Sequence, residues 1–140
     1  MNKNWWTVIC IGLLFVLDRI SKLIFFNGIN NVDFGFFAFH FIKNTGASFG
    51  ILKDMNLMLI GVAILAFGIL MYYRKEVPKL SFILIMGGIF GNLVDRVFLG
   101  YVIDFIDFKF FPVFNLADSM ITVGVAYWVI LAIFKKDASK

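Results

Sequence analysis

Apolar residues occur along this chain in four long runs, at about 5–26, 55–73, 80–98 and 114–134. A helix needs roughly 20 mostly apolar residues to cross the hydrocarbon core of a bilayer. Each run is close to that length, so the pattern predicts four transmembrane helices. Two segments richer in polar residues, 27–54 and 99–113, are predicted to lie outside the bilayer. In the third run, Gly87, Gly88 and Gly91 form a small-residue face that predicts close helix packing.

Phenylalanines alternate with other residues along Phe37–Ile42, in the first of the polar segments. A period of two is typical of a half-buried strand. The segment is therefore predicted to form a small β-sheet on the membrane surface, between helices 1 and 2. The expected fold is an all-α membrane protein with this sheet attached, as a single integral membrane domain over residues 1–140.

Composition supports a membrane protein and narrows the possible chemistry. The 140 residues are 61% hydrophobic and 16% charged, whereas soluble domains are roughly half apolar. One cysteine, Cys10, and one histidine, His40, cannot supply the usual zinc ligand set. The net charge of +4 comes from dispersed basic residues without a recognition motif, so nucleic acid is not an expected partner. The chain also lacks a nucleotide or flavin motif, and we expect no metal and no cofactor.

The distribution of lysine and arginine predicts how the chain is oriented. Basic residues concentrate at the N-terminus, the 74–79 loop and the C-terminus, at Lys3, Arg74, Lys75, Lys79, Lys135, Lys136 and Lys140. The other side holds Lys43, Lys53 and Lys109. Because basic residues are in excess in cytoplasmic loops, both termini are predicted to be cytoplasmic. The first run lacks a small-residue cleavage site, so we interpret it as an uncleaved span.

In this orientation, the polar side chains within the runs all lie toward the outer leaflet. They are Asp18, Lys22, Asn92, Asp95, Arg96, Asn115 and Asp118, with Asp104 in the adjoining segment. Ionisable groups are costly in a bilayer and normally pair around a functional cavity, so we expect one pocket that opens outward. Its carboxylates indicate an aspartyl mechanism. Asp104 and Asp118, here called the carboxylate pair, would share a proton, one activating water while the other donates to the carbonyl.

Some of these assignments have alternatives. The i, i+4 spacing of Asp18 and Lys22 places them on one helical face, either as a structural ion pair at the pocket floor or as part of the site itself. Asp95 could replace a member of the carboxylate pair. Its neighbour Arg96 would favour the ionised form, however, so a structural role is preferred. Asp107 is expected to face solvent.

Two other functions are weighed against the aspartyl mechanism. Gly46–Gly50 matches the G-x-S-x-G pattern around Ser48, but the single histidine precedes it, and four spans leave no room for the α/β-hydrolase fold that the motif needs. The competing class is a small proton-coupled transporter with Asp18, Asp95 and Asp118 as a relay. The inner halves of the spans hold no ionisable residue, which argues against such a relay.

Four motifs carry a family resemblance: Asp18-x-x-x-Lys22, Asn44-x-Gly46-Ala47-x-Phe49, Gly88-x-x-Gly91-Asn92-x-x-Asp95-Arg96-x-x-x-Gly100-x-Val102-x-Asp104-Phe105 and Phe114-Asn115-x-Ala117-Asp118-Ser119. They closely resemble the lipoprotein signal peptidases, also called signal peptidase II. The resemblance extends over nearly the whole chain, and its third and fourth motifs are long and specific.

The resemblance implies an aspartic endopeptidase that cleaves diacylglyceryl-modified prolipoproteins just before the lipidated cysteine. It places the catalytic aspartates at Asp104 and Asp118, with pocket residues at Asn44, Asn92, Arg96 and Asn115. It further implies four transmembrane helices in the bacterial cell (inner) membrane, with an active site near the extracytoplasmic face and no cofactor. Membrane lipids as partners and inhibition by globomycin-type cyclic peptides are also implied.

Overall fold

The computed structural model describes residues 5–27, 32–46 and 54–137. The helices in this part of the chain are α1 (Trp5–Asn27), α2 (Asn56–Tyr72), α3 (Lys79–Phe98) and α4 (Leu116–Asp137). The strands are β1 (Val32–Asp33), β2 (Ala38–Asn44) and β3 (Val102–Asp107). The four helices overlap the four apolar runs of the sequence, so the presence of four helices is confirmed, whereas their crossing of a membrane stays a prediction.

The sheet differs from the prediction in the origin of its third strand. The strands lie in the order β1-β2-β3, with both pairs antiparallel. The sequence pattern predicted a sheet between the first two helices, whereas β3 comes from the segment between α3 and α4. The first four residues of β3 are all buried, so β3 lacks the alternation that reveals β2. In the observed register Asn44 lies opposite Val102 and diagonally beside Asp104.

Helix α3 is the centre of the helical bundle, because α1, α2 and α4 each pack against it. A Cβ atom at Gly88 would lie 2.6 Å from Ile121 on α4, and one at Gly91 would lie 2.5 Å from the Asp18 carboxylate on α1. Side chains at these two positions would force the helices apart. The predicted close packing along this glycine face is therefore confirmed.

The sheet is attached to the bundle by aromatic contacts with the end of α1. The Phe25 ring stacks on Phe105 of β3 at 4.4 Å between centroids and on Phe39 of β2 at 5.4 Å. These contacts hold β3 against the helices and fix the position of Asp104 relative to them.

The outward faces of the helices are apolar and exposed, with side chains such as Leu13, Leu57, Leu65 and Phe134 more than half accessible. By length and apolar composition, two helices of the described chain could clearly cross a membrane: Lys79–Phe98 and Leu116–Lys135. Helix α2 is shorter, at 17 residues, and α1 contains Asp18, Arg19 and Lys22.

Candidate active site

Asp118 is fixed at the start of α4 by reciprocal hydrogen bonds with Asn115, the residue that precedes the helix. The backbone N–H of Asp118 donates to Asn115 Oδ1 at 3.0 Å, and the backbone N–H of Asn115 donates to Asp118 Oδ2 at 3.1 Å. This is a capping box, in which the first and fourth residues of the helix start satisfy each other's backbone donors. The motif therefore holds the Asp118 carboxylate in one orientation while leaving it only partly buried.

Asp104 lies on β3 with 2% of its surface exposed and receives two amide hydrogen bonds. Asn44 Nδ2 donates to Asp104 Oδ2 at 2.7 Å, and Asn115 Nδ2 donates to Asp104 Oδ1 at 2.7 Å. Burial raises the pKa of the Asp104 carboxyl to about 7, and the negative charge of Asp118 acts in the same direction. A protonated Asp104 is thus well populated at neutral pH, because the two amide donors only partly offset these effects.

The orientation of the Asn44 amide is set by the turn that follows β2. The backbone N–H of Gly46 donates to Asn44 Oδ1 at 2.9 Å, which leaves Asn44 Nδ2 to face Asp104. Arg96 donates from Nη2 to the Gly46 carbonyl at 2.9 Å. Arg96 therefore supports the turn, because it donates this hydrogen bond to the backbone rather than to a carboxylate.

Asn92 connects the carboxylate pair to a set of charged residues deeper in the bundle. Its Nδ2 donates to Asp118 Oδ1 at 2.8 Å. Its Oδ1 accepts from Asn115 Nδ2 at 3.1 Å and from Lys22 Nζ at 3.0 Å. Because Lys22 Nζ and Asn115 Nδ2 are donors without acceptor capacity, they require an oxygen here and fix the Asn92 amide with its NH₂ group toward Asp118.

Asp18, Arg19, Lys22 and Asp95, here called the ion-pair cluster, form a charge-balanced group between α1 and α3. Lys22 Nζ lies 2.9 Å from Asp18 and 2.8 Å from Asp95. Arg19 lies 3.0 Å from Asp18 and 2.5 Å from Asp95. Asp18 and Asp95 are 0% exposed and Lys22 is 1% exposed. Two positive and two negative charges compensate one another, which reduces the cost of burying each of them.

The two aspartates of the ion-pair cluster also accept from the backbone beside the carboxylate pair. Asp95 Oδ2 accepts from the N–H of Ile103 at 3.3 Å, and Ile103 immediately precedes Asp104. Asp18 Oδ1 accepts from the N–H of Ala117 at 3.1 Å, and Ala117 immediately precedes Asp118. The same cluster thus anchors both elements that bear the carboxylate pair.

Arg19 is the residue of this arrangement that the sequence analysis missed. The predicted i, i+4 contact between Asp18 and Lys22 is present, but Arg19 supplies the second positive charge that balances Asp95. A signal was available, since an arginine inside an apolar run needs a partner as much as an aspartate does. Asp95 forms its ion pairs with Arg19 and Lys22, and these add to the electrostatic influence expected of its neighbour Arg96.

Several other candidates lie away from the carboxylate pair. His40 Nε2 is 3.8 Å from Asp107, and the Asp107 side chain is only 19% exposed, which corrects the expectation that it faces solvent. Ser48 lies outside the described residues. Within the described ranges, no group of three or more His, Cys, Asp or Glu side chains is placed to hold a metal ion.

The described chain is a helical bundle with exposed apolar faces and a small sheet, and it holds one buried and one partly buried carboxyl group, each hydrogen-bonded to amide N–H groups. These features define the class as a membrane protein with a polar site between its helices and its sheet. The model of the family described as signal peptidase (SPase) II matches residues 10–134. The chain belongs to this family, whose members are proteases that remove signal peptides from lipoprotein precursors.

Individual proteins agree with this assignment. The chain is 46% identical to the lipoprotein signal peptidase of Caldanaerobacter subterraneus subsp. tengcongensis, over 71% of this chain and 73% of that protein. It is 36% identical to the lipoprotein signal peptidases of Clostridium tetani, over 93% of each chain, and Clostridioides difficile, over 95% of this chain and 98% of that protein. These relatives do not support the transporter alternative.

A solved structure agrees with the fold. It is described as a bacterial membrane enzyme determined by the in meso method at 2.3 Å resolution. It superposes with a TM-score of 0.83 at 28% identity, over 96% of this chain and 90% of the other.

Proposed function

We propose that this signal peptidase is an aspartic endopeptidase in which the carboxylate pair, Asp104 and Asp118, carries out the cleavage. The observation that carries the proposal is the environment of Asp104. This carboxyl is buried, is bonded by amides rather than by cations, and has a pKa raised to about 7 partly by Asp118. Such a pair holds one proton between two carboxyl groups, as an aspartyl mechanism requires.

The proton on Asp104 and the free carboxylate of Asp118 define the proposed steps. Asp118 removes a proton from water, the resulting hydroxide attacks the carbonyl carbon, and Asp104 gives its proton to the carbonyl oxygen. When the tetrahedral intermediate collapses, the former carbonyl oxygen returns its proton to Asp104. The leaving nitrogen takes the proton held by Asp118, and the C–N bond breaks. Both carboxyl groups then have their starting protonation states.

Asn44, Asn92 and Asn115 are proposed to hold the carboxylate pair in this geometry, because each donates to one of its oxygens. Asp18 and Asp95 are proposed as positioning residues, since they anchor the backbone beside each catalytic carboxyl. Lys22 completes this support through Asn92, and Arg96 supports the turn that carries Asn44.

The substrate is proposed to be a prolipoprotein with a diacylglyceryl group on the cysteine that becomes the new N-terminus. This follows from the family motifs and from the surface sheet beside the carboxylate pair, where a lipid anchor would deliver a peptide bond. Acyl chains contribute roughly 0.8 kcal/mol per buried methylene to such anchoring. Globomycin-type cyclic peptides are proposed as inhibitors on the same resemblance.

The orientation is also a proposal: a single domain with four spans in the bacterial inner membrane, both termini cytoplasmic and the carboxylate pair near the extracytoplasmic face. The basic loop Arg74–Lys79 and the lysines at both ends support it. In a Cys10-free variant, a cysteine label at Lys75 should react only from the cytoplasmic side and one at Lys109 only from outside. Outside labelling at Lys75 would overturn the orientation.

The decisive test of the mechanism uses purified protein in lipid with a diacylglyceryl-modified preprotein, followed by the size shift on cleavage. Asp104→Asn and Asp118→Asn should each lower the rate by at least about 100-fold, because an amide keeps the shape but cannot cycle a proton. The matched control is Asp107→Asn. Asp107 lies on the same strand, but its side chain accepts from the Lys109 backbone N–H, so this variant should retain activity. Turnover near the original rate in either pair variant would refute the mechanism, and equal cleavage of unmodified preprotein would refute the lipid requirement.

A further inference from the structure

A cavity of about 810 Å³ lies at the end of the helices opposite the carboxylate pair. Its walls come from the beginning of α1, the end of α2 and the beginning of α3, with side chains such as Ile11, Phe67, Phe82 and Phe90. Along α3 it extends from Lys79 to Phe90, about 17 Å at 1.5 Å per residue. Asn92 is one turn or less beyond Phe90, so the cavity approaches the polar network but shares no lining residue with it.

The cavity exists because two helices pack on a third without packing on each other. Within the described residues, α1 and α2 each contact α3, and no α1–α2 contact accompanies them. The gap between them has an apolar floor in Met86 and Phe90. An apolar gap of this kind excludes water, because water there would find too few hydrogen-bond partners.

Three cations surround the mouth of the cavity. Arg74 and Lys75 follow α2, Lys79 begins α3, and all three line the cavity with exposed side chains. The described residues provide no ion pair for any of them, and with Glu76 of the same loop the mouth has a net charge of +2. An apolar channel below a cationic rim is complementary to one kind of molecule, an acyl chain below an anionic headgroup.

We propose that this cavity is a binding site for an anionic phospholipid, with an acyl chain between α1 and α2 and the phosphate against Arg74, Lys75 and Lys79. The site is separate from the carboxylate pair, and the proposal does not depend on the protease mechanism. Basic side chains near an anionic headgroup contribute roughly five-fold each in affinity, so the three together should favour an anionic over a zwitterionic lipid by more than ten-fold.

The experiment measures lipid binding to the full chain in neutral detergent by native mass spectrometry. Phosphatidylglycerol and phosphatidylcholine with identical acyl chains are compared as probes. The unaltered chain should retain phosphatidylglycerol at least ten-fold more strongly. The variant Arg74→Gln/Lys75→Gln/Lys79→Gln should lose this preference. The control Lys43→Gln/Lys109→Gln/Lys135→Gln removes the same charge from lysines that do not line the cavity, and it should keep the preference.

A second variant tests the acyl channel independently of charge. Val8 lines the cavity and is 69% exposed, so Val8→Trp can fill the gap without entering the protein core. It should weaken binding of both lipids while the thermal unfolding temperature stays within a few degrees. Equal retention of the two lipids by the unaltered chain, or equal loss in the charge variant and its control, would overturn the proposal. Full displacement of the lipid by inorganic phosphate would also overturn it, because a phosphate site needs no acyl channel.

Discussion

The ion-pair cluster and the carboxylate pair each contain two buried or partly buried aspartates. The two regions are neighbours, connected through Asn92, yet the groups around their aspartates differ. Asp18 and Asp95 are each bonded to both Arg19 and Lys22, so two cations balance two anions. Asp104 and Asp118 receive their hydrogen bonds from amide N–H groups instead. A cation holds a carboxylate ionised, whereas a neutral amide orients it and leaves its charge uncompensated.

The comparison teaches how one residue type takes two roles in one bundle. Aspartates with cationic partners have their charge balanced and are suited to hold backbone groups such as the N–H of Ile103 and Ala117. The proposed mechanism needs the second arrangement, because two carboxyl groups with amide partners repel each other and can share a proton. Lys22 links the two regions through Asn92.

The largest effect on stability is expected from Asp95→Asn. It leaves the charges of Arg19 and Lys22 facing a single aspartate in a buried site, which should lower the free energy of unfolding by about 3–5 kcal/mol. The measurement is reversible unfolding in mixed micelles. Asp104→Asn is the contrasting variant and should cost less, about 1–3 kcal/mol, because it leaves no charge unpaired and only replaces one oxygen that accepts an amide hydrogen bond. Equal losses in the two variants would abolish the distinction between the regions.

Restoring the charge balance should recover part of that loss. Adding Lys22→Gln to Asp95→Asn leaves one cation and one anion, Arg19 and Asp18, in the cluster. Contacting residues in one network couple by about 0.5–3 kcal/mol, so the double variant should be more stable than the sum of the single variants predicts. Strict additivity in the same unfolding measurement would show that charge balance does not stabilise the cluster.

The carboxylate pair should impose a pH dependence on cleavage. The pKa of Asp104 is raised to about 7, so its protonated form, the proposed proton donor, is lost as pH rises through that value. The cleavage rate should therefore decline above about pH 7. Asn44→Ala removes a hydrogen bond to the ionised carboxylate, which raises the pKa of Asp104 further and should move this decline to higher pH. A shift to lower pH, or none, would contradict the assignment of Asn44.

The smallest effect is expected from Arg19→Lys. Lysine keeps the charge but cannot reproduce the guanidinium fork that reaches Asp18, Asp95 and the Gly91 carbonyl together. The loss of one or two hydrogen bonds should lower the free energy of unfolding by about 1–2 kcal/mol, with the pH profile of cleavage unchanged. A displaced pH profile would show that Arg19 acts on the carboxylate pair directly.

Much of the fold was predictable because each helix overlaps a long, nearly continuous run of apolar residues in the sequence. Strand β2 was also predictable from its phenylalanine alternation. Strand β3 was not, since burial of Val102–Phe105 by α1 and β2 removes the alternation that marks a half-buried strand. The role of Arg19 and the partial burial of Asp107 were likewise missed, because each depends on residues distant in the sequence.

By itself, the sequence determined the helical segments and the small-residue face of α3, because each follows from spacing within one segment. It also indicated most of the polar residues that meet, because ionisable groups in apolar runs need partners. Only the tertiary structure decided which partner each aspartate has. Asp18 and Asp95 meet Arg19 and Lys22 because α1 packs closely on the glycine face of α3. Asp104 and Asp118 meet amides because β3 and the start of α4 converge on Asn115. The roles of the four carboxyl groups depend on these long-range contacts, which no local pattern encodes.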